Sequence, residues 1–222
     1  MTEATLRALE GLRDWSTLAW YAIPLLALVF YVYVREIGSA RETGDWNAVL
    51  AGLTLFGMDF VNETWNGWVL VLTGRSALWT APGATALRTM VGWNIEIMFM
   101  FLLAGIIYYK TLSEDDEFPT WRRPLWRRKE AWLWAVGYSA FCVLVEVALN
   151  KGGLLIWEYP FWNRSLGGIW LIFLIGYFHF FAAIILVLSQ RTLRRRWAAV
   201  AGIWAVAIVM NVIGMGVLGW RY

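Results

Sequence analysis

A helix needs ~20 mainly apolar residues to cross the hydrocarbon core of a bilayer. Six stretches of this chain reach that length: 16–34, 47–73, 89–109, 131–150, 166–189 and 197–220. In lipid, backbone N–H and C=O groups must pair within their own segment, so such stretches fold as helices. The expected fold is all-α: one polytopic transmembrane bundle over residues 1–222, with about six (six to seven) spans. Lys151, Gly152 and Gly153 are expected to break the fourth helix and leave a short re-entrant or interfacial piece at 152–157.

Composition agrees with this reading. Soluble domains carry ~25% charged residues, whereas this chain of 222 carries 16% and has 17 tryptophans. Its mean hydropathy is +0.55. Tryptophan is enriched where membrane meets water. The single cysteine, Cys142, rules out an internal disulfide, and one Cys with one His argues against a zinc site. Residues 1–14 place Leu6, Leu9 and Leu12 at helical spacing among charges, as in a short amphipathic helix lying on the membrane. No cleavable signal peptide is evident.

The net charge of +3 is carried in loops and speaks to orientation rather than nucleic acid. One side holds Arg35, Arg41, Lys110, Arg122, Arg123, Arg127, Arg128, Lys129, Arg191, Arg194, Arg195 and Arg196. The other holds Arg7, Arg13, Arg75, Arg88, Lys151, Arg164 and Arg221. The richer side faces the cytoplasm, so both termini are expected outside a bacterial cell membrane. The charged loop 110–130, with two prolines, reads as a connector at the lipid surface.

Every Lys and Arg falls outside the expected spans, whereas Asp59, Glu63, Glu96 and Glu146 fall inside them. An ionised side chain at the bilayer centre costs at least ~2.5–3.5 kcal/mol, and such residues usually mark function. Asp59, Asn62, Glu63 and Asn66 recur at i, i+3, i+4 and i+7, which sets one polar stripe on the second helix. A seam of interhelical hydrogen bonds is the plainer explanation of the asparagines. Asn94 and Glu96 mark the third helix, Glu146 and Asn150 the fourth, His179 the fifth and Asn211 the sixth. Glu63, Glu96, Glu146 and Asn211 are expected to approach one cavity leaning toward the outer side.

Acids without basic partners favour the neutral carboxyl, through desolvation and mutual repulsion. Two carboxyls in unequal environments form an acid/base pair. Aromatic faces stabilise a cation, and Trp65, Trp68, Trp93, Phe99 and Tyr177 are candidates, although packing or lipid contact is their commoner role. Such a pocket suits protonation of an alkene or epoxide. It does not suit a diphosphate, which wants Lys, Arg or a metal. A histidine-rich di-iron centre is excluded by the single His179. No cofactor is expected, and a carboxylate metal site built from Asp59, Glu63, Glu96 and Glu146 is an alternative use of the same acids.

The run Asp59-Phe60-Val61-Asn62-Glu63 resembles the N-x-x-W-E motif of the non-canonical integral membrane terpene cyclases, a family of fungal meroterpenoid and indole diterpene pathways with bacterial relatives. The resemblance covers about residues 15–75. Glu63 stands at the family's glutamate, while Asp59 replaces the Asn and Asn62 the Trp. It implies cyclisation of an isoprenyl chain by protonation of an epoxide or alkene. The family has seven helices and a second acid in the last. The last helix here offers Asn211, so Glu96 or Glu146 would supply the second carboxyl.

The expected function is therefore an intramembrane cyclase or isomerase of an isoprenoid or sterol-like lipid. Glu63 is the main acid/base, Asp59 tunes it, and Glu96 or Glu146 is its partner. Asn62, Asn66, Trp65, Trp68, Trp93, Asn94, Asn150, Tyr177, His179 and Asn211 are expected to line the substrate site. The alternative is a proton- or cation-coupled transporter or channel using the same carboxylates. The partners are a lipophilic small molecule and membrane lipid, with no nucleic acid.

Overall fold

The computed structural model describes residues 1–112 and 124–222. The central part of the expected 110–130 connector, with Arg122 and Arg123, lies outside the described residues. The N-terminal amphipathic segment forms α1 (Glu3–Glu10), whose first turn is capped by the Thr2 hydroxyl accepting from the Thr5 N–H. The next helix, α2, runs Ala22–Thr43 rather than over 16–34. Residues 15–17 are a single 3₁₀ turn capped by Asp14, and the run from Arg35 onward stays helical. That run is held by an ion pair of Glu36 with Lys110 at 2.9 Å.

Helix α3 (Asn47–Thr73) is the hub of the bundle and packs on four other helices. It ends at Gly74, whose φ of 62° is the left-handed cap that glycine adopts without strain. The chain then forms three short strands, β1 (Trp79–Thr80), β2 (Arg88–Met90) and β3 (Trp93–Asn94). Helix α4 (Ile95–Thr111) starts later than the expected residue 89, because 88–94 folds as the β2–β3 hairpin and Asn94 caps the helix. Helices α3 and α4 cross in close contact, and a Cβ on Gly105 would lie 2.7 Å from the Gly52 Cα.

Helix α5 spans Lys129–Lys151. The segment expected as a short re-entrant or interfacial piece is a turn leading into β4 (Ile156–Trp157). β4 pairs antiparallel with β1, setting Trp79 opposite Trp157. Helix α6 runs Leu166–Leu188 and α7 runs Leu193–Val217. Each contains a wider π turn, at Ile172–Phe178 and Val212–Val217. The start of α7 precedes the expected residue 197 because Thr192 caps it through the Arg195 N–H. Beyond Val217 the chain leaves the helix, and the Tyr222 ring packs on Gly67.

Among the described residues, four helices are long and apolar enough to cross a membrane: α2, α5, α6 and α7. They fit a helical membrane protein. The connections 74–94 and 152–165 join the N-terminal segment in a cap over one end of the bundle. The Thr2 N–H donates to the Arg75 carbonyl, and the Arg13 N–H to the Arg88 carbonyl. Arg88 is buried at the centre of the cap. It donates to the carbonyls of Ala81 (2.8 Å), Gly83 (2.7 Å) and Ala8 (3.5 Å). Burial pushes its guanidinium pKa below the usual value, with Glu96 opposing.

Candidate functional site

Directly beneath the cap lies a cavity lined by Asp59, Asn62 and Glu63 of α3, Glu146 of α5 and Tyr177 of α6. The acids are 4%, 4% and 5% exposed for Asp59, Glu63 and Glu146. Their positions follow from helical spacing: Asp59 and Glu63 are one turn apart on α3, and α5 brings Glu146 to the same space. Among the described residues no Lys, Arg or His lines it. The enclosed space is about 40 Å³ at a water molecule's centre, room for roughly two or three waters.

Each acid is held by one tryptophan of the cap. The indole N–H of Trp93 donates to Asp59 Oδ2 at 2.6 Å, that of Trp79 to Glu63 Oε1 at 2.7 Å, and that of Trp157 to Glu146 Oε1 at 2.7 Å. An indole is a donor only, so it fixes a carboxyl oxygen without supplying a charge. Trp79 and Trp157 are also register partners across β1 and β4. Two acids on different helices are thereby clasped by one two-stranded bridge. The Tyr177 hydroxyl is set against Glu146.

Glu63 Oε2 is buried without a hydrogen bond of good geometry, and the Asn66 amide approaches the same carboxyl. Few buried polar atoms in folded proteins are left so, and each asks for an explanation. The backbone of Gly92 passes beside it, and a Cβ there would lie 2.7 Å from both Glu63 Oε2 and Asn66 Nδ2. Asn66 belongs to the cap's anchorage. Its Oδ1 accepts from the N–H groups of Leu78 (2.8 Å) and Trp79 (3.3 Å), and its Nδ2 donates to the Trp79 carbonyl at 2.8 Å. That grip orients the Trp79 ring toward Glu63.

Aromatic rings complete the walls. Trp79, Trp162, Phe101, Tyr177 and Phe180 face the space. Phe101 and Tyr177 stack with their planes 8° apart. Trp93 is backed by Phe56 and Phe60, with ring centres 5.4 and 5.2 Å away. No three His, Cys, Asp or Glu side chains among the described residues are placed to share a metal ion.

Other expected site residues lie elsewhere. Glu96 is separated from the three acids. It sits in the first turn of α4, where it accepts from the Thr85 hydroxyl (2.5 Å), the Ala86 N–H (2.7 Å) and the Tyr21 hydroxyl (2.7 Å). It ties α2 and the cap to α4, because the helix begins at Ile95 and leaves Glu96 at its rim. Asn94 caps α4 through the Ile97 N–H at 2.9 Å. Asn150 donates to the Leu155 carbonyl at 3.0 Å and closes the turn before β4. Asn211 donates to Thr64 Oγ1 at 2.6 Å and accepts from the Tyr222 hydroxyl at 3.1 Å, a seam away from the acids.

His179 Nδ1 lies 3.3 Å from the Leu174 carbonyl of the preceding π turn. Trp68 packs edge-on against Trp220. Trp65 is 41% exposed on the outside of α3, and Phe99 is half-buried. Sequence reasoning missed Trp79, Trp157 and Trp162, which lie in connections where tryptophan reads as an interfacial anchor. Their short strands pair only over long range, so local periodicity carries no signal for them.

Residues 2–216 match a family described as an uncharacterized membrane protein family. A protein of Archaeoglobus fulgidus, described as an uncharacterized protein, is 38% identical over 219 residues, covering 99% of each chain. No solved structure matches. With nearly its whole length matched, the chain belongs to this membrane protein family.

Proposed function

We propose that the protein is an intramembrane acid/base enzyme, a cyclase or isomerase that protonates an alkene or epoxide of a lipophilic isoprenoid or sterol-like molecule. The observation that carries this reading is the Glu63 carboxyl, buried with no basic side chain beside it in an aromatic-walled cavity. In the proposed reaction Glu63 gives its proton from Oε2 to a substrate carbon or epoxide oxygen. The Trp79 indole on Oε1 stabilises the carboxylate left behind. The developing cation faces the rings of Trp79, Trp162, Phe101 and Tyr177. Loss of a proton to Glu146 or Asp59 then gives a neutral product, so one proton enters and one leaves. Glu96 has no part in this scheme.

The same reading includes six membrane crossings, by α2 to α7, with both termini outside a prokaryotic cell membrane. It is supported by the meeting of the two ends in one cap, where Arg13 donates to the Tyr222 carbonyl at 3.3 Å. Helix α3, at 27 residues, is ~40 Å long at 1.5 Å per residue. The substrate and membrane lipid are its proposed partners.

The test is lipid turnover by purified protein in vesicles made in D2O. Protonation at carbon adds solvent deuterium to the product, and mass spectrometry reads it. Glu63→Gln should slow incorporation by about 10²–10⁴-fold, the usual worth of a positioned proton donor. Full incorporation by that variant overturns the assignment.

A second reading is favoured by the cavity's size, which suits water better than a whole isoprenoid. In it the acids pass protons or a small cation across the membrane. Proton flux in proteoliposomes, abolished by Asp59→Asn, would replace the enzyme reading.

A further inference from the structure

A second hollow lies on the outer wall of the bundle, next to the carboxyl cavity. Trp65, Val69, Leu78, Phe161, Leu171 and Ile175 line it, and its volume is about 460 Å³. Trp65, Phe161 and Ile175 are 41%, 52% and 47% exposed, so the groove opens to whatever surrounds the helices. The carboxyl cavity and the groove share one lining side chain, Trp162.

Trp162 differs from the three indoles that hold the acids. Its Nε1 is buried with no acceptor, in a residue only 3% exposed. The ring stacks on Trp79, with centres 5.6 Å apart and planes 27° apart. Gly176 is also close, where a Cβ would lie 3.8 Å from Trp162 Cζ2. Gly176 belongs to the π turn of α6, and such turns are frequent at functional sites. The ring packs among Leu78, Val143, Leu155 and Ile172 without a hydrogen bond of its own, whereas the three acid-holding indoles are anchored by short ones. Turning it would join the groove to the cavity and free its N–H to find an acceptor.

We infer that the groove holds the hydrocarbon chain of a membrane-dissolved substrate, and that Trp162 is the movable partition past which the chain's unsaturated end reaches Glu63. This rests on the acid/base reading of the cavity. It also answers the mismatch of size: the 40 Å³ cavity need admit only the reacting end, while the rest of the chain lies in the groove. The groove's apolar wall matches an isoprenyl chain and offers no counter-charge to an anionic headgroup.

The experiment is photo-crosslinking in vesicles with an alkenyl chain carrying a diazirine, mapped by mass spectrometry. Adducts on 65–78 and 161–175 should exceed those on the lipid-facing side of α2, around Ile23 and Phe30, by at least fivefold. Val69→Trp and Ile175→Trp, which fill the groove from two sides, should each lower groove labelling at least fivefold. Trp162→Ala should carry adducts inward to Phe101, Tyr177 or Phe180. Equal labelling of α2 and the groove would overturn the inference, as would groove labelling unchanged in both filled variants. Glu63→Gln should leave groove labelling intact. A protein with groove labelling but no deuterium incorporation refutes the enzyme reading, whereas incorporation without groove labelling refutes only the groove.

Discussion

Replacing Trp79 by Phe removes the N–H together with the five-membered ring that carries it, and it tests whether the cap holds the acids. The indole is the partner of Glu63 Oε1 at 2.7 Å. Trp79→Phe therefore leaves the buried carboxyl with only the Asn66 amide beside it. A hydrogen bond to a charged group contributes about 1.5–3 kcal/mol, and a bond to a neutral one about 1 kcal/mol. Part of the cost of the single variant is lost packing on Trp162. A double-mutant cycle with Glu63→Leu cancels that part. Unfolding of the four proteins in detergent should give a coupling energy of about 1–3 kcal/mol between positions 79 and 63. A cycle of Trp79→Phe with Glu146→Leu should show much weaker coupling, because Trp157 is the donor to Glu146. Coupling below about 0.5 kcal/mol at 79 and 63 would refute the claim that the indole fixes the carboxyl.

Gly105→Ala should destabilise the bundle by about 1–3 kcal/mol, read by detergent unfolding, because the added Cβ would meet the α3 backbone at Ala51 and Gly52. Arg88→Lys keeps a charge but not the planar fork that serves the Ala81 and Gly83 carbonyls. It should raise the rate of proteolysis within 74–94 severalfold and leave cleavage at 190–192 unchanged. Gly92→Val should block the cavity at Glu63 Oε2, cutting deuterium incorporation at least tenfold with little change in groove crosslinking. In a Cys142→Ser background, Glu10→Cys should react with a membrane-impermeant maleimide on intact cells and Glu42→Cys only after permeabilisation. Equal reaction of both would refute the proposed orientation.

The helices were legible because lipid enforces internal backbone pairing, and long apolar runs leave little alternative. The polar stripe on α3 was legible too, since 59, 62 and 63 fall on one face and reach one space. Asn66 shares that face but serves loop backbone twelve and thirteen residues further on. Spacing alone cannot separate a cap anchor from a cavity residue. Glu96 was misplaced for a different reason. Its helix was started six residues early, because the apolar run of the β2–β3 hairpin joins that of α4 without a break. The pairing of Trp79 with Trp157 depends on two loops far apart in the chain, and neither contains the other's signal. The π turn beneath Trp162 likewise has no local signature, since its residues are as apolar as those around them.

The three indole–acid pairs impose an order on biosynthesis. Each acid precedes its donor in the chain, by 34 residues for Asp59, 16 for Glu63 and 11 for Glu146. A ribosome therefore delivers the carboxyls before the side chains that satisfy them. The last donor, Trp157, appears only after α5 is complete, and it shares a strand pair with Trp79, made 78 residues earlier. Until then Trp79 has no strand partner. A chain halted before residue 157 carries three acids and two of their three donors, and should be a preferred target of the membrane's quality-control proteases.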